Sequence, residues 1–259
     1  MPTKVRASSL VLRPVKGRHD GRRKLKLFKV VADELKGKTL IMGNVGTNNT
    51  AESIAIAKKA EATGVDLLLC IVPYYNKPNQ DAVTPTLQPL PRRRPCRFSS
   101  TTYRAVPAAA SNRKRSADWL VTMTTSSASK TPAPASTCRY VAANAPEGFH
   151  LYSGEDNLTL PIVAVGGEGV ITVAGHVIGK EMDDMIQAYK DGDVKKAAAL
   201  HQQYLPFMKG VFCTVSPVPI KTMVNMLGFP AGPLRLPLVE ANPEIREKCQ
   251  QYLKDIGKL

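Results

Sequence analysis

The stretch from Thr39 to Pro73 constrains the fold most, because it encodes a strand, a helix and a second strand with almost no linker between them. Thr39–Met42 reads as a short buried strand. "NNTAESIAIAKKAEATG" then opens with Asn49 or Thr50 as N-cap, carries Ile54, Ala57 and Ala60 on one helical face, and closes at Gly64. Val65–Val72 is a second apolar run, stopped by Pro73. Two strands joined through a helix run parallel, so the unit predicts an α/β fold. Just upstream, Leu25, Phe28, Val31 and Leu35 recur at helical spacing, and Gly37 supplies a stop.

The second half repeats the alternation and then abandons it. His150–Ser153 reads as a strand, Asn157–Val165 as a helix and Gly169–Ala174 as a strand. From Lys180 onward the chain reads as helices, in "MDDMIQAYKDG", "DVKKAAALHQQYLPFMKGVF", "VPIKTMVNMLG" and "NPEIREKCQQYLKDIG". Alternating units followed by a helical tail predict a (β/α)8 TIM barrel with a C-terminal helical region. The 259 residues, 43% of them hydrophobic, are enough for one such domain. No apolar run approaches the roughly 20 residues of a membrane-spanning helix, so no membrane partner is expected. Cys70, Cys96, Cys138, Cys213 and Cys249 are scattered without a C-x-x-C pair, which argues against a disulfide framework or structural zinc. Cys70, inside "VDLLLCIVP", reads as a buried core thiol.

The formal charge of +15 is confined to two places. Residues 1–27 and residues 84–137 each hold nine Lys/Arg against one acid, whereas the rest of the chain is close to balanced. Residues 84–137 also contain seven prolines and seventeen Ser/Thr, with "PRRRPCR" and "SNRKRS". Burial in such a segment cannot offset the roughly 1–2 kcal/mol of backbone entropy lost per ordered residue, so on its own it is expected to be disordered. A basic arm that binds RNA or acidic lipid is one reading of it. The tract holds only Phe98, Tyr103 and Trp119 as aromatics, which does not make a base-stacking pattern, and no nucleic-acid partner is expected.

"GTNNTAESI", "PYYNKPNQDAV", "YSGEDNLTLP", "GGEGVITVA", "SPVPIK" and "LRLP" occur in this order over about residues 24–83 and 138–259. With these motifs the chain resembles the dihydrodipicolinate synthase family of Schiff-base aldolases. The resemblance implies a lyase in which a lysine amine attacks the ketone of pyruvate, loses water and yields an enamine. In that family the enamine adds to an aldehyde, aspartate semialdehyde on the route to lysine and diaminopimelate. It further implies no metal or organic cofactor, a homo-oligomer, commonly a homotetramer, and a tyrosine–threonine–tyrosine proton relay. Carried over by motif, Tyr75 matches the relay tyrosine of the "PYYN" loop, and Gly154 and Ile171 match positions that line the pyruvate pocket through backbone groups. Asn48, Glu52 and Tyr74 match positions of a lysine feedback site.

The family's central motifs, Y-N-x-P-x-R-T-G and the lysine-bearing G-I-K-E-A-S, are missing between "PYYNKP" and "YSGED". Reading each codon from the third base of one residue and the first two of the next recovers them. Over Pro95–Ala108 the shift allows L-P-V-L-L-Y-N-V-P-G-R-T-G, and over Thr124–Ala133 it allows N-V-I-G-I-K-D-A-S. A shifted codon reaches only a handful of amino acids, so the two agreements point to a gene read out of frame from near Val83 to near Cys138. Lys130 then falls close to the expected Schiff-base lysine, but "SSASKTPAPAS" lacks the apolar strand pattern that would bury an amine.

The chain therefore divides into a doubtful N-terminal segment 1–23, barrel units 24–83, an out-of-frame or disordered segment 84–137, barrel units 138–180 and a helical region 181–259. The barrel is expected to be incomplete and this literal chain inactive, the alternative function being a catalytically silent barrel relative or a basic binding protein. The basic, acid-poor start reads either as another shifted segment or as an organelle transit peptide. Localisation is accordingly cytoplasmic, with plastid or mitochondrion as the alternative.

Overall fold

A computed structural model of the chain describes residues 10–12, 21–71, 73–74, 98–101, 128–131, 135–144 and 149–259. It divides into two compact units, one holding residues up to Gly154 together with Pro161–Ile171, the other Glu155–Leu160 with Thr172–Leu259.

The first unit is built on a parallel sheet whose seven strands lie side by side in chain order. They are β1 (Leu10–Leu12), β2 (Ile41–Asn44), β3 (Leu67–Ile71), β4 (Phe98–Thr101), β5 (Ala128–Thr131), β6 (His150–Ser153) and β7 (Gly169–Val170). Helix α1 (Gly21–Leu35) precedes β2, and α2 (Thr50–Ala60) connects β2 to β3. The β2–α2–β3 order is the one its sequence implied, but β2 is displaced by two residues from the expected Thr39–Met42, and β3 lies inside the expected Val65–Val72. Asn49 is the N-cap, and its side chain accepts a hydrogen bond from the Glu52 amide. A short 3-10 turn, Glu61–Thr63, ends on Gly64 at φ 88°, a left-handed conformation that glycine adopts without a Cβ penalty.

Alternation along the strands sorts side chains onto two faces. On one face Ile41, Leu68 and Cys70 join Phe28 and Ala32 of α1 and Ile56, Ala57 and Ala60 of α2 in a buried cluster. On the other, Met42, Leu67 and Leu69 pack together, and Ile171, which follows β7, packs against them. A residue beyond the seventh strand reaches side chains of the second and third only if the sheet curls round on itself, as in a barrel.

Three expectations need correction. Residues 84–137 carry no strand signal, yet β4 and β5 lie in this segment, and a helix, α3 (Ala135–Asn144), begins there. Ladder pairing uses backbone groups, and β3 and β6 supply partners: Leu69 pairs Ser99, Ser100 pairs Ser129, and Lys130 pairs Tyr152. Strand Gly169–Ala174 shrinks to Gly169–Val170, for a reason given below. The helix expected over Asn157–Val165 is a 3-10 turn, Asp156–Leu158, leading into α4 (Thr159–Ala164).

The second unit holds the expected C-terminal helices: α5 (Gly175–Lys190), α6 (Val194–Gly210), α7 (Val218–Met226) and α8 (Pro243–Asp255). Met182 and Met185 of α5, Phe207 and Met208 of α6, Met223 of α7 and Leu253 of α8 are fully buried. Asp193 and Asn242 cap α6 and α8 by accepting hydrogen bonds from the Lys196 and Ile245 amides.

Candidate functional site

In parallel barrels, chemistry sits at the carboxyl ends of the strands. Here a continuous row of paired Cα positions crosses that edge: Ile71, Thr101, Lys130, Tyr152 and Gly169, followed by Thr131, Ser153 and Val170. Two of the residues singled out from the sequence meet on it. Gly154 directly follows Ser153, and the Ile171 amide donates to the Ser153 carbonyl at 3.0 Å. That amide is therefore engaged in the sheet, while the Ile171 side chain packs inward against the Met42, Leu67 and Leu69 cluster. Lys130 is the only lysine within a described strand, its backbone placed between Thr101 of β4 and Tyr152 of β6. The sequence reading gave this position no strand, so its place on the ladder is a second aspect of the correction to 84–137.

The β2–α2 loop brings a second group to the same edge. Val45 donates to the Leu69 carbonyl at 3.0 Å, and the Gly46 amide donates to Asn44 Oδ1 at 3.1 Å. Thr47 and Ser53, which sequence reasoning passed over, are buried polar residues that hold the loop. Ser53 Oγ accepts from the Thr47 amide at 2.9 Å and donates to the Asn49 carbonyl at 3.0 Å, while Thr47 Oγ1 accepts from the Asn49 amide at 3.0 Å. The hint in the sequence was a threonine and a serine bracketing a helix cap, a pattern that closes local turns. Asn48 lies inside this ordered loop, and Glu52 is exposed on the first turn of α2. Burial lowers the Lys24 pKa on α1, and the Glu52 charge opposes that shift, so the two side chains face each other electrostatically. Tyr74, 54% exposed, follows β3, and Tyr75 lies outside the described residues.

Gly46 fixes how the loop meets β3. A Cβ there would sit 2.4 Å from the Ile71 amide nitrogen and 2.9 Å from its Cγ1. Backbone cannot yield as a flexible side-chain tip can, so Gly46→Ala is expected to destabilise the first unit by about 2–4 kcal/mol. Urea unfolding monitored by circular dichroism measures it; a midpoint equal to that of the unsubstituted chain would show that the loop is not seated on β3.

Asp156, two residues after Gly154, is the other functional-looking group that sequence reasoning missed. It is 1% exposed, and its carboxylate accepts from the Val173 amide at 3.1 and 3.2 Å and from the Ala174 amide at 2.8 Å. The Gly175 amide donates to Thr172 Oγ1 at 2.8 Å. With these amides turned to side chains, the backbone after Ile171 cannot continue the β6 ladder, which is why β7 is short. An acid inside "YSGED" was visible in the sequence, but its partners lie 17 and 18 residues away.

Cys70 contributes no nucleophile. Burial pushes its thiol up to about 12, which leaves it a core residue. An amine is a different matter: it attacks a ketone only when neutral, and a strand end facing a water-poor interior is one place where a lysine loses its proton.

A family model, the dihydrodipicolinate synthetase family, matches residues 20–85 and 130–256. The chain is 40% identical to the 4-hydroxy-tetrahydrodipicolinate synthase of Listeria welshimeri over 91% of its own length and 80% of the relative's. It is also 40% identical to the enzyme of that name from Moorella thermoacetica, over 91% and 81%. Among solved structures it is similar to the dihydrodipicolinate synthase of Cyanidioschyzon merolae with lysine bound, with a TM-score of 0.90 and 28% identity over 97% of this chain and 87% of that one.

Proposed function

Because this chain belongs to the dihydrodipicolinate synthetase family, whose members are TIM-barrel lyases, we propose that it is built to condense pyruvate with aspartate semialdehyde through a lysine-bound enamine. The observation that carries this reading is the strand-end edge on which Gly154, Ile171 and the backbone of Lys130 converge. Gly154 and Ile171 border the pyruvate pocket, and Tyr75 serves the proton relay, completed by a neighbouring subunit of a homo-oligomer. Asn48, Glu52 and Tyr74 form a lysine feedback site. The bound lysine in the Cyanidioschyzon merolae relative supports that assignment, as does the seating of the Asn48 loop against Ile71 at the end of β3, the strand that leads to Tyr74. The bacterial relatives support a cytoplasmic location.

The literal chain is, on this proposal, a poor catalyst. The two matched blocks of the family model leave out 86–129, which falls within the segment whose shifted reading restores the central motifs. Lys130 lies in "SSASKTPAPAS", which lacks the apolar strand pattern that would bury and desolvate an amine.

Borohydride reduction in the presence of pyruvate tests the chemistry. Less than about a hundredth of the chain should acquire a reduced pyruvate adduct, since a protonated, hydrated lysine forms imines poorly. Stoichiometric labelling that maps to Lys130 would overturn the inactivity and keep the reaction class; stoichiometric labelling elsewhere would overturn the placement of the site as well.

A further inference from the structure

The second unit contains a pair of thiols that lyase chemistry does not use. Cys213 lies in the turn after α6, where its amide donates to the Gly210 carbonyl at 3.0 Å. Gly210 packs so closely on Tyr252 of α8 that a Cβ there would lie 2.7 Å from the ring. Cys249 stands one helical turn before Tyr252, on the same face of α8. This packing sets Cys213 and Cys249 each about one turn from the Gly210–Tyr252 contact, on facing segments. Cys249 is fully buried, and its Sγ lies 3.8 Å from the Pro219 carbonyl, whereas Cys213 is partly exposed. Both thiols are free.

The geometry points to a redox modification site: we propose that Cys213 and Cys249 join in a reversible disulfide when the protein meets a hydroperoxide, fastening the turn after α6 to α8. The order of events follows from burial. Cys213 is the sulfur a small oxidant can reach, because it is partly exposed. Its thiolate attacks the terminal peroxide oxygen, the O–O bond breaks, and the other oxygen leaves as an alkoxide (hydroxide, taken up as water, when the oxidant is hydrogen peroxide), so that Cys213 becomes a sulfenic acid. Burial pushes the Cys249 thiol up to about 11, so it does not meet the oxidant itself. Its place is to resolve: the Cys249 sulfur attacks the Cys213 sulfur, the S–O bond breaks, and water carries away the oxygen and the Cys249 proton. Two thiols are oxidised by two electrons and one peroxide is reduced, to two waters when the peroxide is hydrogen peroxide. A dithiol reductant reverses the bond by exchange.

Trypsin places the two sulfurs in separate peptides, 210–221 and 249–254, each with a single cysteine. The full-length chain is reduced, exposed to a small excess of hydrogen peroxide, alkylated, digested and read by mass spectrometry. The expected result is a linked pair of these peptides as the main oxidised product, removed by dithiothreitol and replaced by mixed pairings when the oxidation is done in urea. Cys249→Ser should leave Cys213 as a sulfenic acid that dimedone traps, and Cys213→Ser should leave Cys249 reduced at the same dose. Mixed pairings in the native chain, or oxidation of Cys213 to sulfinic acid while Cys249 stays alkylatable in the unsubstituted protein, would overturn the proposal. Because the unsubstituted chain alone decides, a variant that misfolds does not protect the idea.

Discussion

Replacing residues 83–137 with the sequence read one base along should raise pyruvate-dependent condensation by at least about a thousandfold over the chain as it stands, which corresponds to roughly 4 kcal/mol of barrier. The replacement changes two things at once. Over Thr124–Ala133 the shifted reading N-V-I-G-I-K-D-A-S puts an apolar run, V-I-G-I, ahead of a lysine that stays on the β5 ladder, so burial lowers its pKa and the neutral amine can attack the ketone. Over Pro95–Ala108 it restores the Y-N-V-P-G-R-T-G segment, whose tyrosine and arginine stand where the family carries its second relay tyrosine and a carboxylate clamp. A coupled assay with pyruvate and aspartate semialdehyde reads the outcome. Changing the restored lysine to alanine should return the rate to that of the original chain and abolish borohydride trapping. Equal rates for the original and rewritten chains would mean that the segment was never the defect.

The elements that sequence reasoning placed well are those whose signals are local. The helix from Asn49 to Gly64 is bounded by a side-chain cap at one end and a left-handed glycine at the other, and β3 is an apolar run stopped by Pro73. The errors share one cause, which is that the deciding partner lies far along the chain. β4 and β5 have strand-poor sequences but receive their hydrogen bonds from β3 and β6. The expected strand Gly169–Ala174 is apolar through Ile171 and Val173, yet Asp156 takes the Val173 and Ala174 amides, and only Gly169–Val170 is strand. The candidate site divides in the same way. Gly154 and Ile171 carry no chemistry that their residue types announce, and they were named only because motifs resembled a family. Their meeting at the Ser153 carbonyl is a product of strand register. Thr47 and Ser53 are ordinary residues in the sequence, and only burial turns their hydroxyls into the framework of the Asn48 loop.

Asp156→Ala should be the most damaging single substitution in the second unit, costing about 3–5 kcal/mol. Ala174, the N-cap of helix α5, has no side chain able to cap it, and no side-chain cap forms there. The Asp156 carboxylate does that work from outside the helix, accepting the Val173 and Ala174 amides, and its negative charge suits the positive end of a 16-residue helix dipole. Alanine removes every one of these acceptors in a place water does not reach, where each unsatisfied amide costs about 1–3 kcal/mol. Against a total stability on the order of 5–15 kcal/mol that is a large fraction. Asp156→Asn keeps one acceptor oxygen but loses the charge and the second oxygen, and should cost about half as much. Hydrogen exchange separates this account from a general loss of packing: the Val173 and Ala174 amides and the first turn of α5 should lose protection before the centre of α6 does. Uniform loss of protection across α5–α8, or an Asp156→Ala chain that unfolds within about 0.5 kcal/mol of the unsubstituted one, would show that the carboxylate is not what holds the start of α5.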